Sequence, residues 1–110
     1  MAMQVSQKSI DELKDYIKTK VAIKIKDLQK VILFGSYAKN TYHEYSDIDL
    51  ALVSHRYKDC DYLDESVEAM KLFSEYDCRI EPHLFTPEEL ESDDLFAQEI
   101  TATGIVLYAS

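Results

Sequence analysis

The sequence predicts one small α/β domain of the α+β kind, in which a mixed β-sheet is flanked by helices. Short apolar runs typical of buried strands alternate along the chain with longer segments whose apolar residues recur every three or four positions. The length of 110 residues suits one unit, so we assign residues 1–110 to a single domain. Apolar residues at 46% and charged residues at 30% are ordinary for a folded globular chain.

The first third of the chain predicts a helix, a strand and a turn. Ser9-x-x-Glu12 is a capping-box pattern at the start of the helix. The residues of one helical face follow it, at Ile10, Leu13, Ile17, Val21, Ile25 and Leu28. The apolar run at 30–34 predicts a buried strand that ends at Gly35, and residues 36–41 are expected to form a short helix or a turn.

The remainder of the chain continues the alternation. Three further strands are predicted, at 47–53, 78–85 and 105–108. A helix at 61–73 has apolar residues at helical spacing, namely Leu63, Val67, Met70 and Phe73. Thr86, Pro87 and Glu89 predict the start of a helix that runs to about residue 103, where Gly104 suits the C-cap. The direction of the second strand relative to the first stays open, because the short connection is close to the lower limit for a parallel crossover.

Charge and cysteine content narrow the class of protein. A net charge of −9 disfavours binding to a nucleic-acid backbone and favours encounter with a basic partner, although solubility alone explains such a charge equally well. No stretch has the apolar length of a membrane span, and the first residues lack the pattern of a signal peptide. Cys60 and Cys78 stand in unrelated contexts and fit a reducing cytoplasm better than a disulfide scaffold.

Gly35 and Ser36 come directly after the first predicted strand and carry the first sign of chemistry. A glycine at the end of a buried strand, followed by a serine at the start of a helix or turn, exposes backbone N–H groups that attract phosphate. The Ser36 hydroxyl adds a donor for the same oxygen atoms. A Gly-Ser pair after a strand is by itself usually only a turn, so the prediction of a phosphate site depends on the next motif along the chain.

Asp47 and Asp49 begin the next predicted strand, two positions apart and therefore on one face. Neighbouring carboxylates repel each other unless a cation lies between them, and Mg²⁺ takes carboxylate oxygens together with substrate phosphates. An isolated Asp-x-Asp is more often a solvated strand end. Here it stands ten residues after Gly-Ser, and the combination predicts phosphoryl or nucleotidyl transfer.

This combination, at residues 31–53, resembles the signature of the polymerase-beta-like nucleotidyltransferase superfamily. The runs FGSYAK (34–39) and SDIDL (46–50) resemble its minimal nucleotidyltransferase (MNT) group in particular, and a weaker likeness extends through 80–83 and 104–108. The resemblance implies ATP as a substrate, two Mg²⁺ ions and transfer of a nucleoside monophosphate. It also implies a likeness to antitoxins of two-gene systems, which transfer AMP to a tyrosine of a helical HEPN ribonuclease.

Two features depart from the family pattern. Asn40 stands where family members often have glycine, although asparagine tolerates left-handed backbone better than most residues. The family places a third carboxylate, usually aspartate, on a later strand, and Glu81 is the best candidate here. Asp77 is the rival, four residues earlier and on the same strand face if the strand begins there. Strand placement favours Glu81, which would also help to remove the acceptor proton.

Three other features are less informative. Lys39 fits contact with a triphosphate and a solvated surface position equally well. His83 is expected to point to the face opposite Glu81 and to have a structural role. The acidic residues between 88 and 94 are most simply the solvated face of a helix, and partner binding is the minority interpretation.

We therefore predict an Mg²⁺-dependent nucleotidyltransferase that moves AMP from ATP to a hydroxyl group, with a HEPN-type toxin protein as the favoured acceptor. The predicted catalytic residues and metal ligands are Asp47, Asp49 and Glu81, and the predicted nucleotide-binding residues are Gly35, Ser36 and Lys39. Two alternatives stay open: a catalytically silent antitoxin, and a small-molecule nucleotidyltransferase completed by a partner subunit. The nucleotide base and any homo- or hetero-oligomeric assembly also stay open.

Overall fold

Four strands form one mixed sheet in the order β3-β2-β1-β4. The strands are β1 (Leu28–Phe34), β2 (Ile48–Ser54), β3 (Ile80–Phe85) and β4 (Ile105–Ala109). β1 pairs antiparallel with β2 and β4, whereas β2 and β3 are parallel. The computed structural model of this chain describes residues 7–39 and 47–110. The predicted fold class is confirmed, and the direction left open in the sequence is settled as antiparallel.

Helices pack on both faces of this sheet. In chain order the helical segments are α1 (Gln7–Tyr16), a π-helical turn (Ile17–Val21), α2 (Ala22–Lys24), a 3₁₀ turn (His55–Tyr57), α3 (Tyr62–Ser74), α4 (Pro87–Leu90) and α5 (Leu95–Thr103). The crossover between the parallel strands β2 and β3 contains α3, as a parallel connection requires. Within residues 7–39 and 47–110, none of these helices has the length and apolar character needed to cross a membrane.

Alternation of side chains along the strands produces two cores, one on each face of the sheet. The larger core lies beneath α1, the π-helical turn and α3, and its fully buried members include Ile17, Val21, Leu50, Leu52 and Phe73. The smaller core lies beneath α4 and α5 and contains Ile32, Phe34, Ala51, Val53, Leu90 and Ile100. Because β2 contributes to both cores, its sequence is a nearly continuous apolar run.

The first helix begins earlier and ends earlier than predicted. Gln7 is already helical, so Ser9 lies inside α1 and the Ser9-x-x-Glu12 pattern is not its capping box. Ile25 leaves the helix with an extended backbone, and Asp27 follows with a φ of +61°. Aspartate tolerates this left-handed conformation better than most residues. The chain therefore turns before Leu28, which belongs to β1 and not to the helix.

The last predicted helix is divided into α4 and α5. Thr86 caps α4 as predicted, since its Oγ1 accepts from the Glu89 N–H at 3.1 Å and Glu89 Oε1 accepts from the Thr86 N–H at 2.8 Å. Asp94 then caps α5 by accepting from the Ala97 N–H at 3.1 Å. The acidic residues at 88–94 therefore do not form one solvated helical face, because two of their carboxylates satisfy backbone N–H groups at helix starts.

The helix predicted at 61–73 is present as α3, but a different face of it is buried. Ala69 and Phe73 lie four positions apart and point into the larger core. Leu63, Val67 and Met70 are exposed instead. Apolar spacing identified the helix, while the small Ala69 lets the helix approach the sheet.

Gly104 ends α5 as predicted, but the reason is space and not left-handed backbone. Its φ is −75°, which any residue adopts. Its N–H donates to the Ile100 carbonyl at 2.8 Å. A Cβ atom at this position would overlap the Ile100 carbonyl oxygen and the Cγ2 of Ile32. The close approach of α5 to β1 therefore requires glycine.

We expect Gly104→Ala to lower the free energy of unfolding by about 1–3 kcal/mol, because the added methyl group pushes α5 away from β1. Urea denaturation followed by circular dichroism measures the change. Thr103→Ala, one position earlier and exposed, is the control and should alter stability by less than about 0.5 kcal/mol. Equal stability of Gly104→Ala and the natural chain would contradict the packing argument.

Candidate active site

Three side chains that can bind a metal ion meet on the face of the sheet that carries α4 and α5. Asp49 lies on β2, and Glu81 and His83 lie on β3. The parallel register places Asp49 directly beside Glu81. One ligand atom from each of the three side chains lies within 4.8 Å of the others. Asp49 and His83 are half-buried and Glu81 is exposed, so the group lies where the smaller core meets solvent.

The prediction for His83 is wrong. Glu81 and His83 are two positions apart on a strand, so their side chains project from the same face. Nε2 of His83 lies 3.2 Å from Oδ1 of Asp49. The ring also packs edge-on against Phe34, with 5.1 Å between the ring centroids. The sequence predicts that Asp47 and Asp49 share one face, because they are two positions apart on a strand. The same two-residue spacing between Glu81 and His83 could have identified His83 as a site residue.

Asp47 immediately precedes β2 and is exposed. Among the described residues, the group of metal-ligating side chains consists of Asp49, Glu81 and His83, without Asp47. Its role as a second metal-binding carboxylate therefore stays a prediction. The connection before it, residues 40–46 with Asn40, lies outside the described residues.

Gly35 turns the chain at the end of β1 and contacts the carboxylate group of the site. Its φ of +75° is in the left-handed region that favours glycine. A Cβ atom here would lie only 2.6 Å from Oδ2 of Asp49. The half-buried Ser36 follows in a turn that the Lys39 N–H closes by donating to the Gly35 carbonyl at 3.2 Å. The Gly-Ser turn thus lies directly beside Asp49. Of the two structures predicted for residues 36–41, a short helix or a turn, the described residues form a turn.

Lys39 connects this turn to α5. Its ammonium group forms an ion pair with the Glu99 carboxylate, and both side chains are about half exposed, at 41% and 51%. An exposed ion pair contributes at most about 1 kcal/mol, so a bound phosphate could compete for Lys39. Lys39 is thus a surface residue with an ion-pair partner, and its role in nucleotide binding stays a prediction.

Asp77 is held by Arg79 and does not lie on the strand. β3 begins at Ile80, so Asp77 lies before the strand. It therefore does not share a strand face with Glu81. Its Oδ1 accepts from the Arg79 N–H at 2.9 Å and its Oδ2 accepts from the guanidinium at 2.8 Å. These hydrogen bonds lower the pKa of Asp77, and the bond from the Arg79 side chain has the largest effect. Arg79 also donates to the Tyr37 hydroxyl at 3.0 Å, so the pair links this turn to the Gly-Ser turn.

Comparison with known sequences agrees with this geometry. The family model described as Polymerase beta, Nucleotidyltransferase matches residues 11–110. A chain of Methanocaldococcus jannaschii named "Putative protein adenylyltransferase" is 36% identical over 105 residues, which cover 93% of this chain and 97% of that chain. The likeness therefore extends over nearly the whole length of both chains.

Solved structures have the same fold. A chain in the crystal structure of a toxin–antitoxin with AMP-PNP is 28% identical, with a TM-score of 0.64 over 88% of this chain and 73% of that chain. A chain in the structure of a tri-AMPylated Shewanella oneidensis HEPN toxin in complex with MNT antitoxin is 24% identical, with a TM-score of 0.59 over 91% and 73%. The second likeness shows the fold alone.

We expect binding of Mn²⁺, used as a probe for Mg²⁺, to depend on Asp49 and Glu81 and not on Asp77. Asp49→Asn and Glu81→Gln should each weaken the affinity by roughly tenfold or more, because each removes a charged oxygen ligand. Asp77→Asn also removes one negative charge but leaves the group intact, so it is the matched control. Isothermal titration calorimetry with MnCl₂ measures the three affinities. A loss in Asp77→Asn equal to that in Glu81→Gln would show that the third carboxylate is misassigned.

We also expect Gly35→Val to abolish binding of ATP in the presence of MgCl₂. Its side chain would collide with the Asp49 carboxylate and occupy the space beside the turn. Ser36→Ala should be milder, roughly a tenfold loss, because the backbone donors remain. Calorimetry with ATP measures both, and circular dichroism verifies the fold. If Ser36→Ala binds as poorly as Gly35→Val, the hydroxyl and not the backbone holds the phosphates.

Proposed function

We propose, since this chain belongs to the polymerase beta nucleotidyltransferase family, that it transfers AMP from ATP to a hydroxyl group on a HEPN-type toxin protein. In this reaction the acceptor oxygen bonds to the α-phosphorus, the bond to the bridging oxygen of the β-phosphate breaks, and pyrophosphate and the acceptor proton leave. The observation that carries the proposal is the contact of the Gly35 turn with Asp49, beside Glu81. A phosphate-binding turn next to paired carboxylates is what such a displacement requires.

Each residue of the site would have a separate role in this reaction. Ser36 and the adjacent backbone N–H groups would hold the β- and γ-phosphates. Asp47, Asp49 and Glu81 offer hard oxygen ligands that fit two Mg²⁺ ions, and the His83 contact would orient the Asp49 carboxylate. Bound Mg²⁺ supplies positive charge that stabilises the negative charge on the phosphate oxygens. Glu81, which is more exposed than Asp49, would accept the acceptor proton.

Two findings support a protein acceptor. The relative from Methanocaldococcus jannaschii carries the name "Putative protein adenylyltransferase" and matches over 97% of its own length. The 28%-identical structural neighbour comes from a toxin–antitoxin bound to AMP-PNP. A net charge of −9 would favour encounter with a basic ribonuclease. Added phosphate would then repel the RNA substrate of that ribonuclease.

The free thiols of Cys60 and Cys78 fit the proposed cytoplasmic location.

We expect the helical protein encoded beside this chain to gain one or more AMP groups on co-expression. Intact-mass spectrometry detects the added mass, and purified components with ATP should repeat the transfer with MgCl₂ and fail with EDTA. The Asp47→Asn/Asp49→Asn double variant should add nothing, because both acidic ligands before and within β2 are neutralised.

Two outcomes would contradict the proposal. If the partner stays unmodified and the double variant still neutralises it, the chain is an antitoxin that acts by binding alone. If AMP is transferred only to a small molecule in the presence of the partner, the acceptor is misassigned. Asp64→Asn, on the exposed side of α3, is the matched control for the loss of an acidic side chain.

A further inference from the structure

We propose that Leu95 and Phe96 form the surface on which this chain receives the polypeptide segment that carries the acceptor hydroxyl. This inference rests on the proposed AMP transfer to a protein. The two residues begin α5, and they are 81% and 45% exposed. We call them the acceptor lip. Among the described residues Leu95 is the most exposed large apolar side chain, so its burial against a partner would be favourable.

The acceptor lip is continuous with the candidate active site. The Phe96 ring lies 5.5 Å from that of Phe34 and 6.3 Å from that of His83, between ring centroids. His83 in turn lies 3.2 Å from Asp49. One layer of rings therefore leads from the lip to the carboxylates. A segment that rests on Phe96 would therefore have its neighbouring residue beside the carboxylates of the site.

The geometry of the displacement sets the side of the site from which the acceptor arrives. In an in-line displacement the attacking and leaving oxygens lie on opposite sides of the phosphorus. The leaving phosphates are held at residues 35–36, at the end of β1, in the proposed function. β3 lies on the other side of β2. The acceptor oxygen therefore arrives from the β3 side. The Phe96 ring borders this approach, since it lies 6.3 Å from His83 and 6.1 Å from Phe85 on β3, and it also lies 5.5 Å from Phe34 on β1.

The charge around the lip identifies the kind of segment that fits. Exposed Glu91, Asp93 and Asp94 lie within the four residues that precede Leu95. Asp94 also caps α5 through its carboxylate. An apolar pair preceded by these acidic residues complements a segment with apolar side chains flanked by lysine or arginine. A second copy of this chain is a poorer occupant, because two molecules with a net charge of −9 repel each other.

The test is a titration of the ¹⁵N-labelled full chain with two synthetic peptides, acetyl-Lys-Leu-Tyr-Leu-Lys-amide and acetyl-Glu-Leu-Tyr-Leu-Glu-amide. The basic peptide should shift the amide resonances of residues 95–97. It should also shift those at the end of β1 and at the starts of β2 and β3, where the site lies. The acidic peptide should bind roughly tenfold more weakly or not at all. Because the spectra report binding without chemistry, a failure of AMP transfer in the preceding experiment leaves this result interpretable.

Two matched pairs of variants locate the surface. Leu95→Ser should weaken binding of the basic peptide by about tenfold, because the leucine loses its burial against the segment. Leu63→Ser changes an equally exposed leucine in the first turn of α3 and should have no effect. Asp93→Asn should reduce the preference for the basic peptide by roughly threefold, whereas Asp64→Asn, in the first turn of α3, should not.

Several results would overturn the proposal. Shifts centred on α3 would place the docking surface on the opposite face of the sheet. No shift with either peptide at its solubility limit would show that the lip binds no such segment. Equal affinities for Leu95→Ser and Leu63→Ser would remove Leu95 from the interface. In the transfer assay, Leu95→Ser should raise the KM for the acceptor alone, and a rise in the KM for ATP alone would assign the lip to adenine.

Discussion

The pairing of β2 with both of its neighbours fixes the relative positions of Gly35, Asp49 and Glu81 in the candidate active site. Asp49 lies opposite Phe34 on β1 and beside Glu81 on β3. Gly35, which follows Phe34, must therefore turn away directly at the Asp49 carboxylate. A slip of one residue in either pairing would reverse the faces and point these carboxylates into the larger core. The two cores hold the register, because β2 is buried on both sides.

This register concentrates negative charge at the edge of an apolar core. Asp49 and Glu81 are like charges in close proximity, which is unfavourable unless a cation or a hydrogen-bond donor compensates it. His83 supplies one contact to Asp49 from within the chain. Metal ions and phosphate donors supply the remainder in the proposed reaction. The short Gly35 turn is compatible with this arrangement because it adds no side chain beside Asp49.

The same face of the sheet unites the chemistry with the proposed partner surface. α5 packs over β1 through Gly104, and its first turn carries Phe96 to the rings beside the carboxylates. The ion pair between Lys39 and Glu99 connects the middle of α5 to the Gly-Ser turn.

The sequence by itself determined the fold class, the four strands and the Gly-Ser and Asp-x-Asp motifs, because strand periodicity, caps and motif spacing are local properties. The contact of the Gly-Ser turn with Asp49 depends on the antiparallel pairing of β1 and β2, which the sequence left open. Only the tertiary structure decided that Glu81 and not Asp77 lies beside Asp49. Asp77 forms a hydrogen-bonded ion pair with Arg79 and lies before the first residue of β3. The tertiary structure also decided which face of α3 is buried and which partner Lys39 contacts. Those outcomes depend on contacts between residues far apart in the chain, which local patterns do not encode.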